Sequence, residues 1–383
     1  MRYWIYLALV VLPLLLEYVR LGRWRGAVPI RVHVHGTRGK TTVTRTLAAL
    51  LRNRGFRVLA KTTGDAPEYV LPDGNRRPIR RWGPPRIQEH VDVLRMAARL
   101  RAEIVVVEGM AIQRETVFQS ERILCATHAI VTNLRPDHQE TMGVGRRGVL
   151  DTLSLMFPRR GVIYTAAETG ARILSARAAA ADVPCKVVSV TSLREQAGEL
   201  AAAVANGIAA GRPQQDCSSQ DDDRPPGRLH AAMKTIVSRD VTLRFVDLFS
   251  ANDVISARLV WHGFVSGLGS DCLRIALLAT RSDRPLRTRA FLDWLSVEPE
   301  FDFVAPVGGH AWYACLRAAR RGRDARRRLL TVANPWTGPE HVLERLQDIA
   351  RRRGQSEIAI IGLGNTHEFG MRWRTMVSHL EPT

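Results

Sequence analysis

The chain has no CxxC pair and an odd number of cysteines, five, scattered at Cys125, Cys185, Cys217, Cys272 and Cys315. That spacing excludes a paired disulfide framework and a cysteine zinc site, and it fits a reduced intracellular protein. Lysine is nearly missing as well: of 56 basic residues, only Lys40, Lys61, Lys186 and Lys234 are not arginine. The formal charge is +19, but neither a basic stripe interleaved with aromatics nor a known recognition module accompanies it, so nucleic acid is not an expected partner. No internal repeat is present. Long apolar runs are absent beyond Tyr3–Leu16, which ends at Glu17 and is followed by Arg20, Arg23 and Arg25. That run is short of the roughly 20 residues of a membrane span, a length reached only by including Tyr18 and Val19. No A-x-A cleavage site follows it, and the arginines on its C-terminal flank favour a cytoplasmic body. The expectation is an uncleaved N-terminal anchor over residues 1–25 at the cell membrane, with a membrane-surface helix as the alternative.

What is present begins at Ile30. The alternating run Ile30–Val34 leads into His35-Gly36-Thr37-Arg38-Gly39-Lys40-Thr41-Thr42 and then an amphipathic stretch. Strand, glycine-rich turn, Lys-Thr and helix together hold a nucleotide's phosphates. Glycines let backbone N–H groups close on the anion, and the helix N-terminus adds its positive dipole end. Lys40 would reach the β- and γ-phosphates and Thr41 would offer its hydroxyl to Mg²⁺. The first glycine of the full GxxxxGK[ST] pattern is replaced by Val34. The alternative is a strand–turn–helix corner that uses glycine for geometry alone. Two of the four lysines stand in this loop and in Lys61-Thr-Thr-Gly64, which points to a compact ammonium at each place.

From Ile30 to about Ala210, short apolar runs (Arg57–Ala60, Ile104–Val107, Ala129–Thr132, Gly161–Tyr164, Val187–Val190) alternate with helical stretches such as His90–Leu100. Val43, Leu47, Leu50 and Leu51 share a helical face that Gly55 terminates. This pattern predicts a parallel sheet buried on both faces, hence an α/β fold. Residues 212–240 are polar at first, with three prolines and the triplet Asp221-Asp222-Asp223, and read as a linker. A second α/β set follows over residues 241–383, with strands expected at Thr242–Val246, Arg274–Ala279, Asp302–Val307, Leu329–Ala333 and Ile358–Gly362. The expected layout is an anchor, a central ATP-binding domain over 26–211, the linker and a smaller C-terminal domain. The arginine runs 317–328 and 351–353 read as solvated helix faces.

Ligands in open α/β sheets collect outside the carboxyl ends of the strands. Glu108 ends a β-branched run and precedes Gly109, so it should face the same edge as Gly36. Asn133-Leu-Arg-Pro-Asp137-His138 follows the next run. Mg²⁺ prefers oxygen ligands, which suits Glu108, whereas His138 can bind a metal through neutral imidazole or orient a phosphate when protonated. Helix capping by Glu108 or Asp137 is the structural alternative.

Taken in order, Thr41–Arg45, Lys61-Thr-Thr-Gly64, Glu108-Gly-Met-Ala111, Phe118-Gln119 and Asn133…Asp137-His138…Met142-Gly143 resemble the ligase subunit of poly-γ-glutamate synthase. That capsule-forming amide ligase is a relative of the Mur ligases and folylpolyglutamate synthase. The resemblance continues through Ala251-Asn252-Asp253, Arg281-Ser-Asp283-Arg284, Arg287-Thr288 and Gly362-Leu-Gly364-Asn365-Thr-His367. It implies a P-loop central domain, a Rossmann-like C-terminal domain and ATP-dependent joining of a carboxylate to an amine. It further implies that Gly36–Thr42 bind ATP, that Thr41, Glu108 and His138 surround Mg²⁺, and that Asn252 and Asp253 close onto the nucleotide. With the phosphate loop beginning at Gly36, the UDP-sugar-binding domain of the Mur enzymes is not expected.

The chain departs from that pattern in four places. Asp-His-x-Asp becomes Asp137-His138-Gln139-Glu140, and Met142 stands where Mur ligases have histidine or tyrosine, although Met is consistent with the capsule ligase. No lysine lies between Lys61 and Lys186 to take the place of the carbamylated lysine of Mur ligases. The adenine-contacting asparagine helix is not recognisable near Glu199–Asn206. Arg281, Arg284 and Arg287 are candidates for holding a glutamate or polyglutamate carboxylate, with surface ion pairs as the alternative. Small membrane subunits of a polymer synthase complex are implied as partners by resemblance only, and the oligomeric state, homo-oligomer included, stays open. The competing functions are a Mur- or folylpolyglutamate-type ligase on another acid and a membrane-tethered ATPase in polymer export.

Overall fold

The computed structural model describes residues 2–64, 67–83, 85–168, 170–192, 195–210, 233–238, 241–251, 253–269, 271–320, 328–330, 338–366 and 368–380. Asn252, His367 and most of the expected linker fall outside them. The chain divides into two compact units, residues 1–228 and 229–383.

The first unit is built on an eight-stranded sheet. In chain order its elements are α1 (Arg2–Ala27), β1 (Ile30–His35), α2 (Lys40–Arg52), β2 (Val58–Lys61), β3 (Glu68–Val70), β4 (Arg76–Pro78), α3 (Gln88–Arg99), β5 (Ile104–Glu108), α4 (Arg114–Leu124) and β6 (His128–Val131). They continue with α5 (Gln139–Met142), α6 (Gly145–Leu153), β7 (Val162–Ala166), α7 (Ala171–Ala180), β8 (Cys185–Val188) and α8 (Gln196–Ile208). Strand order is β4-β3-β2-β5-β1-β6-β7-β8. From β2 to β8 all neighbours are parallel, and β3 and β4 add an antiparallel hairpin at one edge. Helices cover both faces, so Ile104, Val105, Val106 and Val107 are all fully buried. After β1 the chain first builds β2 and β5 on one side, then crosses to β6 on the other. The carboxyl end of β1 is thus the topological switch point, where such sheets open a ligand crevice.

α1 continues past the apolar run and carries Pro13 within it. Its last turns put Leu21 and Trp24 against Val28, Val93, Leu94 and Val105. Among the described residues no helix is long and apolar enough to cross a membrane. A run of the length of Tyr3–Leu16 rises only about 20 Å, against about 30 Å of hydrocarbon.

The second unit comprises β9 (Met233–Ser238), β10 (Val241–Asp247), α9 (Val254–Val265), β11 (Cys272–Thr280), α10 (Pro285–Leu295), β12 (Phe303–Gly308), α11 (Ala311–Arg320), the helix Pro339–Arg352, β13 (Glu357–Leu363) and the helix Phe369–His379. Its sheet runs β12-β11-β13-β10-β9, parallel except for β9 at the edge. One face packs Phe245, Ile275 and Ile360 on Trp373, and the other packs Ala276, Leu278 and Ile361 with Trp261 and Phe291. Leu329 makes only an isolated bridge to Val304 in place of the expected strand, whose residues 331–333 are not described.

Candidate functional site

The loop between β1 and α2 owes its shape to two glycines. Gly36 has φ 124°, and a Cβ there would lie 2.1 Å from the Thr132 hydroxyl oxygen, so no side chain fits. Gly39, at φ 75°, is the N-cap of α2 and provides no side-chain cap, which leaves the first amides of the helix available to an anion. The Lys40 ammonium bends back to donate to the Gly36 carbonyl at 2.8 Å. Desolvation lowers its pKa, as does Arg38, while Glu108 and Asp137 oppose the shift.

Glu108 pairs in register with Val34, one strand over. It is 3% exposed, and both carboxylate oxygens accept from the Thr41 hydroxyl at 3.0 Å. The Thr63 N–H donates to it at 2.9 Å, and a Cβ on Gly64 would stand 3.3 Å from the Thr41 hydroxyl oxygen. Glu108 is therefore no helix cap. It joins the loop, the start of α2 and the exit of β2.

The exit of β6 clamps the loop from the other side. Thr132 donates to the Arg38 carbonyl at 2.5 Å, the Asn133 amide donates to the same oxygen at 3.0 Å, and Asn133 accepts from the Thr37 hydroxyl at 2.5 Å. The Arg38 guanidinium lies 3.4 Å from Asp137. Asp137 accepts from the His138 N–H at 2.9 Å, and the His138 ring nitrogen is 3.9 Å from the same carboxyl group. His138 itself, at φ 47°, is the N-cap of α5, so Asp137 does not cap that helix. Lys40, Thr41, Glu108, Arg38 and the Asp137-His138 pair thus gather at one sheet edge. Sequence reasoning missed Gln196, whose amide donates to the Thr132 carbonyl at 2.8 Å from α8. Nothing local signals that partner.

Behind the loop lies a second polar group that the sequence reading overlooked. His33 and His35 point from β1 toward α3 and α4, where His33 meets His35 and His90 edge-to-face at 4.9 and 5.6 Å. All three rings are buried, and His33 lies 3.5 Å from Glu121. Gly109 makes room for His35, since a Cβ there would sit 2.2 Å from the ring. Burial pushes His35 and His90 well below the usual histidine value. The neighbouring His33 adds to both shifts, with Lys40 acting on His35 and Lys61 on His90. A histidine depressed in the folded state contributes stability that is full above the unfolded pKa of about 6.5 and falls as acid protonates the unfolded chain first, at up to about 1.4 kcal/mol per pH unit per ring. Melting temperature is accordingly expected to drop between about pH 7.5 and 5.5, with a flatter slope in His90→Leu. Parallel slopes for the two proteins would refute this.

In the second unit the candidate arginines do not form one fork. Arg281 pairs with Asp283 through two bonds at 2.8 and 2.6 Å, Arg284 stands 3.8 Å from the same carboxylate, and Arg287 donates to Asn365 at 3.2 Å. Arg284 and Arg287 lie at the start of α10, beside the carboxyl ends of β11 and β13. Asp253 is the N-cap of α9: its carboxylate accepts from the Ser256 N–H and hydroxyl, each at 2.8 Å. Its geometry is that of a cap. Asp253→Ala should cost about 1 kcal/mol, seen as a melting shift of a few degrees that Asp253→Asn largely avoids. Equal melting of both variants and the parent would contradict the cap.

The comparisons with known proteins agree with this division. The family model of the Mur ligase middle domain matches residues 34–195. That of the poly-gamma-glutamate synthase CapB C-terminal domain matches residues 233–380. Capsule biosynthesis protein CapB of Bacillus anthracis is 24% identical over 357 residues, covering 89% of this chain and 75% of that protein. PGA synthase CapB of Bacillus subtilis is 25% identical over 358 residues, covering 89% and 88%. Among solved structures, Mycobacterium tuberculosis folylpolyglutamate synthase complexed with ADP superposes with a TM-score of 0.61 at 16% identity, over 96% of this chain and 94% of that one. A bifunctional folylpolyglutamate synthase/dihydrofolate synthase with Mn, AMPPNP and L-glutamate bound gives a TM-score of 0.56 at 16% identity, over 93% and 94%.

Proposed function

We propose that this chain, which belongs to the Mur ligase superfamily as a homologue of the CapB poly-γ-glutamate synthase proteins, is an ATP-dependent, ADP-forming ligase that extends a glutamate polymer. The observation that carries the reading is the contact of Thr41 with Glu108 beneath the uncapped N-terminus of α2, with Lys40 folded across the same loop.

A carboxylate is a poor acyl donor because oxide cannot leave. In the proposed reaction a carboxylate oxygen of the acid attacks the γ-phosphorus of ATP, the bond to the bridging oxygen breaks, and ADP departs. The resulting acyl phosphate is attacked by an amine: the C–N bond forms, and inorganic phosphate leaves as the nitrogen loses its proton. Lys40 and the loop amides spread the charge that grows on the transferring phosphoryl group. Thr132 and Asn133 hold the Arg38 carbonyl, so the loop keeps its form as that charge moves. The hydroxyl of Thr41 and the carboxylate of Glu108 are hard oxygen donors already in contact, a set that suits magnesium, with His138 as the third expected ligand. Held there, magnesium would offset negative charge on the nucleotide's phosphates.

Arg281, Arg284 and Arg287 are the proposed holders of the substrate carboxylate, Arg281 and Arg284 standing beside Asp283 and Arg287 beside Asn365. Arg284→Ala should raise the KM for the acid several-fold and leave that for ATP nearly unchanged; equal changes would count against the assignment. Asn252, which lies outside the described residues, and Asp253 are kept as proposed nucleotide contacts on the resemblance alone. The exposed Leu12, Leu14 and Leu15 of α1, followed by Arg20, Arg23 and Arg25, support a seat on the cytoplasmic surface of the membrane, where small membrane subunits would meet the enzyme.

The test is ADP release with Mg²⁺ in membranes holding the chain and its genetic neighbours, with and without glutamate. Glutamate-dependent turnover with a γ-linked product is the expected result. Turnover that ignores every acid would identify an ATPase, and turnover with a different acid a ligase of another specificity.

A further inference from the structure

The segment between β3 and α3 is unusually basic. Residues 74–88 contain Arg76, Arg77, Arg80, Arg81 and Arg86 and not one acidic residue. The arginines divide into two groups. Arg81 turns inward and grips Glu89 with two bonds at 2.8 and 2.9 Å, and the fully buried Lys61 ammonium joins the same carboxylate at 2.9 Å. Burial pushes the Glu89 carboxyl upward, but Arg81 and Lys61 outweigh it and hold the group at about 2. Glu89 thus pairs with two inward cations, and it also accepts from the Arg86 backbone N–H at 3.3 Å. Arg77, Arg80 and Arg86 are exposed, and the indole of Trp82, which falls between Arg80 and Arg86 in the sequence, stands entirely in solvent.

This surface is tethered to the phosphate site. Lys61 is the last residue of β2, two residues before the Thr63 amide that holds Glu108 and three before Gly64 against Thr41. One ion triad, with Lys61 buried and Arg81 and Glu89 half-buried, therefore fixes the arginine-bearing segment to the strand whose exit touches the loop.

We infer that Arg77, Arg80 and Arg86, with Trp82, form a docking surface for a polycarboxylate chain, the polymer that the ligase extends; the inference rests on the function proposed above. Guanidinium forks match carboxylates in pairs, and several exposed ones with no carboxylate partner among the described residues reward a ligand that carries a carboxylate on every residue. The indole offers an apolar face to the methylene groups between those carboxylates. A single aromatic is a poor platform for single-stranded nucleic acid, which stacks successive bases on several rings.

The test titrates the full chain with poly-γ-glutamate and, separately, with monomeric glutamate, following tryptophan fluorescence, and measures ADP release with each. The triple variant Arg77→Ala, Arg80→Ala, Arg86→Ala removes only exposed side chains. The wild-type chain should bind polymer far more tightly than monomer, with an affinity that falls as salt rises. The triple variant should lose polymer affinity about tenfold or more, while its KM for ATP and for monomer stays within about twofold. Charge reversal at the same positions should deepen the loss. Unchanged polymer affinity in the variants overturns the inference. So does a wild-type chain that ignores polymer but binds phosphatidylglycerol vesicles through these arginines, which would make the surface a membrane contact. Loss of acid-dependent turnover in the wild type, with polymer binding intact and sensitive to the variants, would refute the ligase reading and leave the docking surface standing.

Discussion

Lys40→Ala is expected to lower glutamate-dependent ADP release by about a thousandfold or more, with no loss of thermal stability. Two observations separate these effects. The ammonium donates to the Gly36 carbonyl inside the loop, and its pKa is lowered chiefly by desolvation. Removing a charge that the fold keeps partly dry relieves a cost, so melting should stay level or rise. Catalysis has no such relief. Deleting one preorganised donor to a developing anion costs about 10²–10³ in rate, and a full positive charge beside the transferring phosphoryl group counts for more. A rate within about tenfold of the parent, or a melt collapsed by many degrees, would show that Lys40 serves the fold and not the chemistry.

Glu108→Gln should reduce kcat by about 10²–10³ and raise the magnesium concentration needed for half-maximal turnover. The substitution keeps size and shape. Its oxygen can still accept from the Thr63 N–H, and its amide can turn toward Thr41, so the fold should lose no more than about 1 kcal/mol. What disappears is the negative charge that makes the pair with Thr41 a site for a hard cation. An unchanged magnesium dependence would remove Glu108 from the proposed metal set.

The parts of the molecule written in local patterns were readable from the sequence. The glycine turn and Lys40 follow a strand and precede an apolar helical face, and Glu108 follows four buried β-branched or aliphatic residues, so periodicity and strand-end chemistry sufficed. Polar strands were not readable. The β3–β4 hairpin contains Arg76, Arg77 and Pro78, which argue against a strand, and it forms at the sheet edge where that composition is tolerated. β9 lies within the region taken for a linker and pairs with β10 as an edge strand. His33 and His35 alternate with valines as in a half-exposed strand, yet helices cover both faces and both rings are buried.

Interactions across long sequence separation were equally hidden. Glu89 is 28 positions from Lys61 and eight from Arg81, and nothing in either segment announces the triad. The clamp of Thr132 and Asn133 acts on a backbone carbonyl, which has no sequence signature. Asp253 was legible as part of a motif, but its work as the cap of α9 appeared only with the helix boundary in place.

The central claim is that the γ-phosphoryl group passes to a substrate carboxylate. It is tested most directly with glutamate or its polymer labelled with heavy oxygen in the carboxyl groups, by mass analysis of the phosphate released during turnover. The account predicts about one labelled oxygen in each phosphate formed with ADP, and about a thousandfold less labelled phosphate with Lys40→Ala. Unlabelled phosphate from an actively turning-over wild-type enzyme would mean that water takes the phosphoryl group, and the chain would be an ATPase.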